Sequence, residues 1–302
     1  MRGLVLVAAV AAALVAVASA AAQPVRATDA YEVEPSPAAS FFAWSQARLS
    51  SPNRYNVFFV PAANGVPNFS NPTRANPKGT VSFAGDVDGT TLVFGQRPRP
   101  GARGNIRFYN LAARDLIPTP DGVNTKRGHE AGPKLSGHRL LFARYGPSGQ
   151  SIFLDEDTTD NQAPRRLASL AYPGYLQTGG VDGNLAVWTR CRRWAHCATF
   201  RYNIDARITR RTSNPDHRSQ YAASVADGSI YFAESGNIFC GDGLALWRWK
   251  RHEGRTRLHG FRSGRDIAVT NPLVNGDGSV DLYYDRFICR TGAADIFRLD
   301  IP

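Results

Sequence analysis

The chain has 302 residues and a net charge of +11, from 36 Lys or Arg against 25 Asp or Glu, with 28 Gly, 19 Pro and four Cys. Apolar residues follow a helical period nowhere after the first twenty positions, which excludes a helical bundle, and no later apolar run approaches the ~20 residues of a membrane span. The basic residues are interrupted by apolar strand residues throughout, which argues against a disordered polybasic arm and leaves nucleic acid outside the expected partners.

Met1-Arg2, the apolar run Leu4 to Val17 and the small residues Ala18-Ser19-Ala20 read as a cleavable export signal over residues 1–20. The mature protein is then expected in the medium, the periplasm or the cell envelope. In such an oxidising compartment, four Cys without a C-x-x-C pair point to disulfides instead of metal or redox chemistry. Residues 21–39 form an N-terminal segment in which Tyr31-Glu32-Val33 is a candidate for closing a ring, and residues 40–302 form one domain.

Within that domain one pattern returns. A turn dipeptide precedes a short apolar strand ending in an aromatic, and a polar loop leads to a second alternating strand. The copies are Asp88-Gly89 with Leu92-Val93-Phe94, Ser136-Gly137 with Leu140-Leu141-Phe142, Asp182-Gly183 with Leu185 to Trp188, Asp227-Gly228 with Ile230-Tyr231-Phe232, and Asp277-Gly278 with Val280 to Tyr284. An earlier copy keeps Phe41 to Trp44 and Asn56 to Val60 without the dipeptide. The turns recur every 45–50 residues, the period of a four-stranded propeller blade. Asp-Gly supplies the positive backbone angles of a tight hairpin, and stacking such sheets in a ring covers both faces of each. The expected fold is therefore an all-β, six-bladed β-propeller of mostly four-stranded antiparallel blades. The recurring aromatics Trp44, Phe94, Phe142, Trp188, Phe232 and Tyr284 are expected to pack blade on blade. Because the last repeat ends at Pro302 after its second long strand, its outer strand must be missing or borrowed.

These repeats resemble the TolB-like six-bladed propellers, a group with WD40-like repeats. The likeness is carried by Val87 to Phe94 and by Ser151-Ile152-Phe153-Leu154-Asp155 with Arg166-Leu167. The resemblance implies a secreted or envelope propeller acting as a non-catalytic binding or scaffolding module. The alternative is an extracellular hydrolase or lyase acting on a glycan or anionic polymer, which would need paired carboxylates in the funnel. Asp86, Glu130, Asp182 and Asp227 lie near inner-strand ends and are the candidates for it.

Other motifs reduce to structure. His129-Glu130 and His252-Glu253 lack the second His of a zincin, since Pro133 and Thr256 stand there. The cluster Asp155-Glu156-Asp157 with Asp160 lacks the Glu that closes a calcium loop, where Arg166 stands. No cofactor and no metal are expected. Cys191 is expected to pair with Cys197 across one hairpin, and Cys240 with Cys289 between consecutive repeats. Ligand binding is expected at the central funnel through His129, Glu130, Arg144, Arg190 and His217, whose donor forks and imidazoles suit an envelope protein, a peptide or an anionic polymer. A monomer is expected.

Overall fold

The computed structural model describes residues 22–160, 162–192, 196–238 and 240–302. Residues 1–20, where an export signal is expected, lie outside the described residues, as do Arg193, Trp194 and Ala195. Among the described residues there is no helix, and the strands form six antiparallel sheets.

Blade 1 comprises Ala30–Pro37, Phe41–Arg48, Asn56–Ala63 and an outer strand broken into Val66–Pro67 and Thr73–Arg74. Blade 2 comprises Val81–Asp88, Thr91–Arg97, Asn105–Asn110 and Asp115–Ile117, and blade 3 His129–Ser136, Arg139–Tyr145, Gly149–Asp155 and Arg165–Ala171. Blade 4 comprises Tyr175–Asp182, Leu185–Arg192, His196–Asn203 and Ile208–Arg211, and blade 5 Ser219–Ala226, Ser229–Ser235, Ala245–Lys250 and Gly254–Gly260. In blade 6 the inner strand is broken into Arg265–Asp266 and Thr270–Val274, followed by Val280–Ile288 and Ala294–Ile301. Each first strand contacts the first strand of the next blade, and blade 6 returns to blade 1, so the ring is closed around a central channel.

The outer strand of blade 6 is Gln23–Arg26, which pairs antiparallel with Ala294–Ile301. Ring closure thus comes from upstream of Tyr31-Glu32-Val33, which belong to the inner strand of blade 1. Short spacing explains the difference: a chain leaving the outer edge of blade 6 must cross its blade before it can start blade 1 at the channel, and Ala27-Thr28-Asp29 make that crossing.

The repeating aromatic has a fixed direction. Side chains alternate across a strand, so the second strand of each blade serves two neighbours. Trp44 packs against blade 6, Phe94 against blade 1, Phe142 against blade 2, Trp188 against blade 3, Phe232 against blade 4 and Tyr284 against blade 5. The aromatic always faces the preceding blade, while the adjacent residue, such as Ala43, Val93 or Val187, faces the following one. All six are buried, as blade packing requires.

The Asp-Gly hairpins do more than turn the chain. Asp88 Oδ2 accepts from the Gly137 N–H of the next blade, Asp182 Oδ2 accepts from Asp227 N–H at 2.7 Å, and Arg139 reaches the Gly183 carbonyl. The turn carboxylates therefore clasp consecutive blades on this face.

Candidate functional site

The inner strands are not regular. Five of them slip register at one level of the ring, between Val33 and Ser36, Ala84 and Asp86, Ala131 and Lys134, Thr178 and Gly180, and Tyr221 and Ser224. A bulge frees a carbonyl from the ladder and bends the strand. At Gly85 the bulge needs glycine, because a Cβ there would meet the Pro133 carbonyl at 2.3 Å.

Carbonyls at these slips are satisfied by side chains of neighbouring blades, and one contact crosses the channel. Lys134 Nζ donates to Gly85 O at 2.9 Å and to Asn271 Oδ1 at 2.7 Å, while Asn271 Nδ2 donates to Pro35 O. Thr178 Oγ1 donates to Gly132 O at 2.6 Å, Thr270 Oγ1 to Ala222 O at 2.6 Å, and Gln177 Nε2 to Ala268 O at 2.8 Å. Lys134 and Asn271 thus span the channel with both side chains buried. Three carboxyls surround the Lys134 ammonium at longer range. Burial pushes Glu34 up to about 7, helped by Asp285 and opposed by a hydrogen bond from Ser45. Burial also lifts Asp86 to about 6 against the pull of Lys134, and Asp285 to about 6 against backbone N–H donors from Val269, Ala268 and Glu34. Lys134 is shifted down by the same desolvation, with the carboxylates opposing.

Two mouths flank this plug. The mouth on the Asp-Gly side encloses about 320 Å³ and is lined by the hairpins and Asn271. The opposite mouth, where the chain crosses between blades, encloses about 250 Å³ between Arg97, His129, Tyr145, Tyr175 and Gln177, with Lys134 at its floor. His129 Nδ1 accepts from Gly104 N–H at 2.7 Å, which leaves the ring proton on Nε2, and Nε2 faces Arg97 Nη2 at 2.8 Å. Two donors therefore meet with no acceptor between them. Burial, and then Arg97, hold the His129 pKa below its ordinary value.

Beside this mouth, sharing Tyr175 and Gln177 with it, lies an apolar pocket of about 470 Å³ formed by blades 4, 5 and 6. Ile238, Ile267, Phe287 and Ile288 line it, and both disulfides stand in its wall. Cys191 and Cys197 are directly opposite across a hairpin, with Cα atoms 3.9 Å apart, and Cys240 joins Cys289 of the next blade with Cα atoms 5.9 Å apart. The carboxyl of the pocket is already committed: Asp266 accepts from Tyr221 Oη at 2.7 Å and from Cys240 N–H at 3.2 Å. Replacing Cys240 and Cys289 by Ser is expected to lower stability by about 2–4 kcal/mol, and replacing Cys191 and Cys197, which close a much shorter loop, by less. Thermal unfolding of the two double variants checks the order.

The five residues expected at the funnel do not form one cluster. His129 and Glu130 reach the crossover-side mouth. Arg144 instead holds Glu130 in an ion pair at 2.9 Å and caps the carbonyls of Gly122 and Val123. Arg190 and His217 lie in a separate recess where blade 4 gives way to blade 5. Trp247 and Trp249 are covered by Arg255 and Arg201 at 4.3 and 4.4 Å. The apolar pocket was not anticipated. Its one signal in the sequence was that Cys of one blade's hairpin and Cys of the next two blades' equivalent loops belong to the same face.

No family model matches the sequence, and no curated protein matches it. Solved structures share the fold. A protein of unknown function from Dyadobacter fermentans aligns with TM-score 0.63 at 10% identity, over 93% of this chain and 97% of that one. TolB from Acinetobacter baumannii aligns with TM-score 0.53 at 13% identity, over 90% of this chain and 63% of TolB. A prolyl endopeptidase aligns with TM-score 0.55 at 13% identity, over 90% of this chain and 42% of the enzyme. The chain thus spans less than two thirds of the last two. The shared feature is the six-bladed propeller, and the two disulfides point to an oxidising, extracytoplasmic setting.

Proposed function

We propose that this chain is an exported, monomeric, TolB-like propeller that binds an extended peptide segment of an envelope protein at its crossover-side mouth without catalysing a reaction. The observation that carries this reading is the convergence of both disulfides on one apolar pocket beside the polar funnel. Rigid walls lower the ordering cost of binding, and about 470 Å³ falls in the range of preformed ligand pockets. An apolar side chain fits the pocket, and a neighbouring peptide carbonyl supplies the acceptor that Arg97 and His129 lack.

Three of the four carboxylates named for a hydrolase or lyase already have partners, which supports the binding reading. Glu130 is bound by Arg144 and Thr125, Asp182 by the next hairpin, and Asp86 by Leu135 N–H at 3.2 Å.

Peptides selected from a displayed random library against the folded protein are expected to carry an apolar residue at one constant position. Binding of such a peptide, followed by titration calorimetry, should weaken at least 10-fold in Phe287→Glu, which puts a charge into the pocket. Arg97→Ala should also weaken it, by the ~1.5–3 kcal/mol of a charged hydrogen bond. Selection without binders, or full affinity in a folded Phe287→Glu protein, would overturn the assignment.

A further inference from the structure

The recess that holds Arg190 and His217 has a chemistry of its own. Arg190 and Arg192 stand two residues apart on one strand, opposite Ala198 and His196 on the next, so these side chains leave the same face of the sheet. Arg211, opposite Phe200 one strand further out, continues that row. His217 and Arg218, where the chain enters blade 5, complete the wall. Four guanidiniums and two imidazoles therefore border about 270 Å³.

Almost none of this charge is neutralised. Arg218 approaches Glu234 only at 3.9 Å and gives its Nη2 to the carbonyls of Asp242 and Gly243. Glu234 and Asp216 are both paired with Arg255, at 2.6 and 3.5 Å. Arg190, Arg192 and Arg211 form no ion pair among the described residues, and Arg190 Nε is buried without a hydrogen-bond acceptor. Like charges held together around a concavity, with a buried donor left unmatched, are the arrangement of a site whose anion comes from outside.

We propose that this recess binds a phosphate monoester, with Arg190, Arg192 and Arg211 as its principal donors. A monoester carries about −1.5 to −2 charge at neutral pH and three acceptor oxygens, so one group can face all three guanidinium forks. A single carboxylate has half that charge and leaves most of the repulsion among the arginines in place. The recess lies just under the ~300–1,000 Å³ of pockets that enclose a whole small ligand, so it suits the anionic group of a larger molecule. This site is separate from the peptide reading, because Arg190 and Arg211 border neither the funnel nor the apolar pocket.

Titration calorimetry at low, matched ionic strength with phenyl phosphate, inorganic phosphate and acetate tests it. Phenyl phosphate is expected to bind at one site per chain, at least as tightly as inorganic phosphate and at least 10-fold more tightly than acetate. Arg190→Gln and Arg211→Gln should each weaken it 10-fold or more, and Arg211, being exposed, can be replaced without disturbing packing. Arg99→Gln removes the same charge from an exposed loop of blade 2 and should change affinity less than twofold. The proposal is overturned if phenyl phosphate does not bind, if acetate binds equally, or if Arg99→Gln weakens binding as much as Arg190→Gln. Tighter binding of inorganic phosphate than of the ester would contradict the ester assignment and make the free ion the ligand.

Discussion

Replacing Lys134 by Met is expected to lower stability at pH 8 by about 3–5 kcal/mol, the cost of taking one member from a buried set of charges. The Lys134 ammonium bridges blades 2 and 6 from blade 3, and its loss leaves the Gly85 carbonyl and Asn271 Oδ1 short of a donor. Glu34 and Asp86 also lose the cation that opposes their rise, and Asp285 loses the ammonium on which it acts. The effect depends on pH in a direction that follows from their shifts. A carboxyl whose pKa is raised on folding adds stability that is complete below its unfolded value, and that stability disappears as pH rises through the folded value. For these three groups the loss runs from about pH 4 to about 6–7. At pH 5 they are largely protonated in the folded protein, so the variant should lie closer to wild type there than at pH 8. His129, with its lowered pKa, acts in the opposite sense as pH falls, but it is common to both proteins and cancels in the difference. Chemical denaturation of both proteins at pH 5 and pH 8 measures this. An equal deficit at the two pH values would assign Lys134 to hydrogen bonding alone.

A chain lacking residues 1–26 is expected to melt at least ~10 °C lower, at about 2–4 °C per kcal/mol for a domain of this size. Three losses combine. Ala294–Ile301 becomes an unpaired edge, and exposed edges pair with other chains. Glu32, fully buried, loses its 2.8 Å ion pair with Arg26. Trp44 loses the guanidinium stacked 4.7 Å from its ring, where blade 6 meets blade 1. Arg26→Met separates these contributions, because it keeps the strand while leaving Glu32 unpaired. Light scattering should show self-association in the truncated chain and not in the point variant. An unchanged melting temperature on truncation would mean that Gln23–Arg26 does not hold the ring.

What the sequence made legible was whatever depends on local pattern. Asp-Gly turns, two-residue alternation and the aromatic at the end of each second strand specify a blade, because the physics of a hairpin is contained in about a dozen residues. The Cys pairs were readable for the same reason, since repeat position fixes which loops are neighbours. Features that join blades were hidden. Nothing about Gly85 or Gly132 taken alone distinguishes a bulge from a turn, and Lys134 looks like any strand lysine until the ring brings Asn271 to it from 137 residues away. The same holds for the binding residues: positions just before a turn or just after a strand-ending aromatic suggested one funnel for His129, Glu130, Arg144, Arg190 and His217. A propeller has six places near such turns, and only the angle of each blade decides which of them share a cavity.

The claim that the crossover-side mouth is the binding surface is tested most directly by hydrogen–deuterium exchange on the full protein saturated with a selected peptide. Protection is expected around Tyr175, Gln177, Ile238, Cys240, Asp266 to Ala268 and Phe287 to Cys289, which border the funnel and the disulfide-walled pocket. The hairpin turns at 88–89, 136–137, 182–183 and 227–228 should exchange as they do in the free protein. Protection confined to those hairpins, or spread over the outer strands, would contradict the account.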